Sequence, residues 1–343
     1  MELPVFDMAP FLTAGASSDE VQTLCRQMAE CMHESGVLIV KDPRVSMQDN
    51  ETFLSMLERY FEQPAEIKKQ DERPEIYYQV GATPEFIENA RCGKEPECLN
   101  RIDEMPEEDR PHKPLCPDAK ERFFWRMGER PEKTEFASLN AEPVVPANFP
   151  EWSTVMNQWG SKLLTAVSTV AEMLALGLEL DQHAFTQLMH CAPHLLAPTG
   201  TNLAKHGAKD TIYAGFHYDL SFLTIHGKSR FPGLYIWLRT GRKMLGGKQL
   251  EILTGGHVEA GYHEVVCAPE TLTAIEKARE SGRSLYRISS TLFSHIASDN
   301  VMQPLGKYGE SEAVRAKYPP IKAGHQVQAE LNAIKLAAVK QDA

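Results

Sequence analysis

Apolar residues recur along this chain with two different periods, and the change of period divides it. Behind Ser17-Ser-Asp-Glu20, a capping-box pattern, Val21, Leu24, Cys25, Met28 and Met32 fall at helical spacing, and Gly36 ends the run. Residues 3–8 and 37–40 read as short strands on either side of that helix. A second helix is predicted over residues 50–62, with Phe53, Leu57, Tyr60 and Phe61 as its apolar side. The clearest helix is predicted over 151–178, where Val155, Trp159, Leu163, Val167, Val170 and Leu174 make one stripe that should back a sheet. A shorter helix follows over 184–190.

From about residue 194 the period becomes that of strands: Leu195–Leu203, Tyr213–Ile225, Gly233–Leu238, Leu250–Leu253, His263–Cys267 and Leu285–Ile296. Short strands parted by Gly and Pro turns predict a jelly roll, whose interior can hold a metal between two sheets. Pro269–Ser281 interrupts them and reads as a surface helix inserted in a hairpin, with Leu272, Ile275 and Ala278 on one side. A last helix is predicted at about 324–340. Between residues 70 and 150 periodicity is poor and charge and proline are dense. Loops and short helices are expected there, with Tyr77, Tyr78, Phe86, Phe123, Phe124 and Trp125 to bury. The fold class is α+β with a mainly β core. One domain is expected over 1–343: a mostly helical part over 1–190, a jelly-roll core over 194–300 and a C-terminal helix within 320–343.

Composition narrows the setting. The chain has 343 residues, 42% hydrophobic and 24% charged, and carries a net charge of −11 from 36 basic and 47 acidic side chains. No Lys/Arg-rich block stands out, so nucleic acid is not an expected partner, and no apolar run is long enough to span a bilayer. Acids stand early and no apolar leader is evident, so a cytoplasmic location is expected; a monomer is expected as well. Seven cysteines, an odd number in a long chain, predict reduced thiols. Cys92, Cys98, His112 and Cys116 have spacings that fit no common zinc module.

The candidate chemistry lies in Gly215-Phe-His-Tyr-Asp-Leu-Ser-Phe-Leu-Thr-Ile-His-Gly227. His217 and Asp219 stand two apart on a strand, so both point to one face. One further His would complete a 2-His-1-carboxylate facial triad, a set suited to Fe(II) with open positions. His263 and His257 compete for that place. His263 is preferred because Glu-Val-Val-Cys behind it supplies a strand, whereas His257 follows Gly255-Gly256 and reads as a turn residue. Arg287 and Ser289 share a face of a later strand, and a guanidinium fork beside a hydroxyl suits a carboxylate. His226 reads as structural or as support for the ligands. Phe216 and Trp237 read as core, with a lesser place for them in a pocket wall.

His217-x-Asp219, then Leu-Thr, Pro-Gly-Leu-Tyr-Ile, Leu-Thr-Gly-Gly and a His-x-Val-Val, then Arg287-x-Ser289, resembles the 2-oxoglutarate/Fe(II)-dependent dioxygenases of the isopenicillin N synthase-like group. Leu3-Pro-Val-Phe-Asp7, a helix and Gly36-Val-Leu-Ile-Val40 fit the same pattern, so the resemblance covers nearly the whole chain. It implies a double-stranded β-helix with residues 70–150 at the active-site mouth. It implies Fe(II) on His217, Asp219 and His263, 2-oxoglutarate gripped by Arg287 and Ser289, and O2 as oxidant, with ascorbate as a further requirement. A small-molecule substrate would be hydroxylated or desaturated with release of succinate and CO2. The segment Leu196–Leu203 lacks the Tyr that many relatives point at 2-oxoglutarate, leaving Thr201 or Asn202 as substitutes. No barrel strand is recognisable between Trp237 and Leu250. That gap motivates two alternatives: an iron oxidase of the group that does not use 2-oxoglutarate, and an impaired barrel serving as a binding module.

Overall fold

The structure, a computed structural model, describes residues 3–93, 95–112, 117–238, 243–244 and 247–334. β1 (Val5–Asp7) and β2 (Ile39–Lys41) form a parallel pair, while β3 (Gly81–Thr83) and β4 (Glu121–Met127) come from the charged 70–150 segment. Then follow β5 (His194–Leu196), β6 (Thr199–Asn202), β7 (Ile212–Tyr218), β8 (Leu223–His226) and β9 (Leu234–Leu238). β10 (Lys243–Met244), β11 (Tyr262–Val266), β12 (Tyr286–Ile288) and β13 (Thr291–Ser294) complete the barrel strands. β14 (Val301–Met302) and β15 (Ile321–Lys322) make a last antiparallel pair.

The barrel strands form two antiparallel sheets with a cavity between them. One sheet runs β10-β9-β11-β7. In the other, β5 and β6 are two halves of one broken strand, flanked on one side by β4 and on the other by β12 and β13, with β8 beyond β13 and β3 on β4. This curled pair of sheets is the expected double-stranded β-helix. The Trp152–Gly177 helix backs it, burying Trp159, Leu163, Val167, Val170 and Leu174 in the main core. Its end meets the Asp19–Ser35 helix so closely that a Cβ on Gly177 would run into the Cys25 carbonyl.

Several expectations are corrected. The Ser17–Glu20 box does not form: Ser18 is the N-cap but makes no side-chain cap bond. The box sits at Ser46 and Asp49 instead, and starts the next helix at Met47. The 70–150 segment contains a true sheet strand, β4. Six of its seven residues are buried, so both faces are covered and it shows no alternation. Leu195–Leu203 breaks after Leu196 and ends in a short helix, Leu203–His206, while Tyr213–Ile225 and Leu285–Ile296 each split in two.

Leu250–Leu253 is not a strand but part of a helix, Lys248–Leu253. Every residue from Gln249 to Leu253 is buried, and a short run with no exposed face has no period to read. Gln249 and Glu251 are held there by partners: the Ile296 N–H donates to Gln249 at 2.9 Å, and the Ala260 N–H donates to Glu251 at 2.9 Å. Between Trp237 and Leu250 the chain does place a strand, the two-residue β10, antiparallel to β9. Positions 239–242 and 245–246 lie outside the described residues. Among the described residues, β8 ends its sheet. The expected helix near the C-terminus runs from Ala323 to Ala333, and the rest of that expectation falls outside the described residues. Cys92 and Cys98 form a disulfide, against the expectation of reduced thiols throughout, whereas Cys25, Cys31, Cys191 and Cys267 are free. Cys116 lies outside the described residues.

Candidate metal centre and its cavity

β7 and β11 pair so that His217 and His263 stand directly opposite each other. Side chains directly across an antiparallel pair share a face. The two imidazoles accordingly lie 4.2 Å apart between ring centres, tilted by 47°. Asp219, just past the end of β7, brings its Oδ1 to 3.8 Å from the Nε2 of each ring. One nitrogen from each ring and one carboxylate oxygen thus lie within 4.8 Å of one another. Two imidazoles and a carboxylate gathered on one side of a space are the donor set for Fe(II) with free positions left.

The surroundings fix these donors. His217 Nδ1 lies 2.6 Å from the Gly215 carbonyl, so this nitrogen carries the proton and Nε2 keeps its lone pair. The Thr224 hydroxyl donates to Asp219 Oδ2 at 2.6 Å, which leaves Oδ1 as the free oxygen. Burial, joined by the nearby His217, His226 and Lys120, holds the His263 imidazole neutral well below the usual histidine range. A neutral ring is the ligating form. The alternative ligand, His257, is stacked on His33 at 4.0 Å, away from this group.

A cavity of about 190 Å³ opens on the three ligands. At one end Arg287, 5% exposed, uses Nε on the Pro232 carbonyl at 3.1 Å. Burial pulls its guanidinium down to about 10, still charged at neutral pH. Ser289 lines the same wall and is held by Thr199, whose N–H donates to Ser289 Oγ at 2.9 Å. Thr201, directly across from Arg287, lines the cavity as well. Asn202 does not: its side chain caps the Leu203–His206 helix by accepting from Ala204 and Lys205. Phe216 and Trp237 are also outside the wall. They pack on the other face of the sheet at 5.1 Å from each other, with Tyr262 and the Cys92–Cys98 pair. A residue one position from His217 must point the opposite way.

Three wall residues escaped the sequence reading as site residues. Tyr213 stands on β7 and lines the cavity, and its buried hydroxyl lies beside the Cys267 thiol and close to the charge of Arg287. His226 has its ring centre 6.2 Å from that of His263; Thr291 meets its Nδ1 at 3.1 Å and its buried Nε2 has no partner. His295 is buried in the wall too. Strand alternation does not single out Tyr213, because the β7–β11 register is irregular between His217 and Ile212 and Ala214 lines the cavity as well.

The rest of the cavity wall is a cover made from residues 79–90 and 118–124 and from the last helix, through Val327, Glu330 and Leu331, and its described residues 91–112 continue off the cavity onto the outer face of the ligand sheet. Its centre is a buried charge cluster. Arg122 pairs with Glu88, and Lys120 pairs with Asp118 at 2.6 Å and Glu88 at 3.1 Å. Burial would raise the Glu88 carboxyl, but Arg122 and Lys120 outweigh it and hold it down at about 2. Asp118 also accepts from the Gly215 N–H at 2.9 Å, which ties the cover to the ligand strand. Among the described residues one other trio could hold a metal, Glu129, His190 and Cys191, and two of its three members are exposed.

The two curled antiparallel sheets make a double-stranded β-helix, and the solved structures that resemble this chain share that fold. Residues 3–120 match the family described as non-haem dioxygenase in morphine synthesis N-terminal. No curated protein matches the chain. A 2OG-Fe(II) oxygenase family protein from Caulobacter crescentus superposes with a TM-score of 0.72 at 19% identity, covering 97% of this chain and 99% of the other. A full-length Neurospora crassa protein, solved in complex with alpha-KG, gives 0.71 at 16% identity, with 96% of each chain covered. The dioxygenase for auxin oxidation from rice gives 0.62 at 13% identity, covering 98% and 100%. Among the described residues no helix is long and apolar enough to cross a membrane.

Proposed function

We propose that this protein is a non-haem Fe(II)/2-oxoglutarate-dependent oxygenase that oxidises a small molecule. The observation carrying the proposal is one cavity that holds both the His217, Asp219, His263 donor set and the free edge of Arg287. His217 Nε2, Asp219 Oδ1 and His263 Nε2 would hold the iron. When bound, iron supplies the activation of O2, coupled to conversion of 2-oxoglutarate to succinate and CO2 as the substrate is hydroxylated or desaturated. Arg287 would pair the far carboxylate of 2-oxoglutarate, with the Ser289, Thr201 and Tyr213 hydroxyls around it. Thr224 and the Gly215 carbonyl keep two of the donors aimed, and the cover keeps water from the reacting centre. The Neurospora crassa protein of the same fold is solved with alpha-KG, and JOX2 with 2OG, Fe and JA. Ascorbate would serve to keep the iron reduced. We take the whole chain as one oxygenase unit acting as a cytoplasmic monomer, with no nucleic-acid partner. Light scattering behind a sizing column tests the monomer.

The test of the activity is spectroscopic. Without oxygen, Fe(II) and then 2-oxoglutarate should give a weak visible charge-transfer band, and admitting O2 should yield succinate. Arg287→Ala should raise the half-saturating 2-oxoglutarate concentration roughly 10- to 100-fold, the worth of a charged hydrogen-bonded contact. Absence of the band, with His217→Ala indistinguishable from the parent, sinks the reading. Oxygen uptake without succinate would turn it to an oxidase that does not use 2-oxoglutarate.

A further inference from the structure

We propose that the substrate is a small carboxylic acid with an apolar body, and that Arg122 binds its carboxylate side-on; this rests on the oxygenase reading of the same cavity. Lys120, Arg122 and Phe124 alternate on and just before β4, so their side chains reach one wall of the cavity. Arg122 is 6% exposed and its guanidinium carbon lies over the Phe124 ring, 3.8 Å from the centre. Its Nη1 donates to Glu88. Its Nε and Nη2 are buried and have no partner.

That remainder has a shape. Nε–H and Nη2–H form one edge of the guanidinium, two parallel donors in a plane, which matches the two oxygens of a carboxylate. Neighbouring cations show what a structural role looks like. Lys120 is satisfied by Asp118 and Glu88. Arg126, farther along the same strand and off the cavity, leaves only Nε without a partner and directs its terminal N–H groups at the Met127 and Glu129 carbonyls and at Asn140. Only Arg122 combines a place in the cavity wall with a whole unpaired edge among these three. Arg287 is needed for 2-oxoglutarate, so two carboxylates meet two guanidinium forks. Leu195, Ala197, Phe293, Val327 and Leu331 line the same cavity and suit an apolar body. The Phe124 ring and Glu88 hold the guanidinium in place, so its free edge is fixed before a ligand arrives.

The test uses the full chain with Fe(II) and 2-oxoglutarate and three probe acids, phenylacetate, 3-phenylpropionate and octanoate, each against its primary amide. Without oxygen, at least one acid should perturb the charge-transfer band, and with oxygen it should stimulate succinate release, its amide acting at least tenfold more weakly. Arg122→Lys keeps a positive charge opposite Glu88 but has no two-pronged edge. It should raise the half-saturating acid concentration at least tenfold and leave that of 2-oxoglutarate unchanged, whereas a residue that only supports the fold would move neither. Acids and amides acting alike, no acid acting, or an unchanged acid response in Arg122→Lys would each overturn the proposal. If Fe(II) and 2-oxoglutarate give no band at all, the oxygenase reading fails on its own. Saturation-transfer NMR with the same six probes on the metal-free protein, parent against Arg122→Lys, then still decides the role of Arg122.

Discussion

The floor and the cover of the cavity position their charged groups in opposite ways. On the floor, backbone pairing does the placing: β7 opposes β11, and His217 faces His263 because their Cα positions are register partners. The groups that support the ligands are one threonine hydroxyl and one backbone carbonyl. On the cover only Arg122 sits in a ladder, opposite Thr83 and Thr199, and the loop residues Glu88, Asp118 and Lys120 are placed by the ion pairs of their buried cluster. A ladder of backbone bonds tolerates change at any one side chain. A ring of buried charges does not, because each ion depends on the others to offset its lost hydration.

That contrast is sharpest in function on the floor and in stability on the cover. Asp219→Ala removes one of three donors and leaves the β7–β11 ladder in place. Fe(II)-dependent succinate formation should fall by roughly 100-fold or more, the scale set when a metal's supports are cut, while the melting temperature stays near that of the parent. Metal content and succinate release check the first part, and calorimetry without metal the second. Glu88→Ala reverses the pattern. It leaves Arg122 buried without its anion and Lys120 short of one of two, at a cost of roughly 3 kcal/mol or more in stability. Iron binding to the protein that stays folded should persist. If Glu88→Ala instead abolished iron binding at unchanged stability, floor and cover would be one unit and the distinction drawn here would be wrong.

The same contrast explains what the sequence revealed. His217, Asp219 and His263 were legible because strand alternation is a local rule, and the structure brings all three to one point. Arg287 and Ser289 were legible for the same reason, and both line the cavity. Asn202 was misjudged because one step along β6 exchanges the cavity for a helix cap, and the sequence does not state the register. Phe216 and Trp237 failed on parity: Phe216 is adjacent to His217 and so faces the reverse side. β4 escaped because a strand covered on both faces has no alternation to show. With β4 unseen, Arg122 and Lys120 read as scattered charges in a loop, and only the tertiary packing makes them a cluster. The helix at Lys248–Leu253 passed for a strand because all but the first of its residues are buried.

The Cys92–Cys98 disulfide adds a covalent tie to the part of the cover segment that leaves the cavity and packs with Phe216 and Ile102 on the outer face of the ligand sheet. Closing so short a loop should stabilise the protein by about 2 kcal/mol on the chain-entropy account. Cys98→Ser should therefore lower unfolding stability by about that amount, and it should increase proteolytic nicking within residues 84–112 more than anywhere in β7 or β11. Limited proteolysis with peptide mapping reads this directly. Nicking spread evenly over the chain would mean that the cover has no stability of its own to lose.

The smallest expected effect lies at the seam between the two regions. Trp237 sits on β9, in the ligand sheet, and its indole N–H donates to the Asp109 carbonyl of the cover at 2.7 Å. His112 makes a second link, its backbone N–H donating to Glu264 of β11 at 3.1 Å. Trp237→Phe keeps an aromatic ring against Phe216 and removes the donor. Loss of one such hydrogen bond costs about 1 kcal/mol, or roughly 1 °C in a chain of this length. The consequence should be local. Amide exchange should quicken around residues 107–112, where the cover loses its anchor, and stay unchanged in β7 and β11, whose ladder is intact. Iron binding and the response to 2-oxoglutarate should not move, because Trp237 touches neither the ligands nor the cavity wall. Faster exchange in β11 itself would show that the cover stiffens the floor, and the ladder alone would then no longer account for the placement of His263.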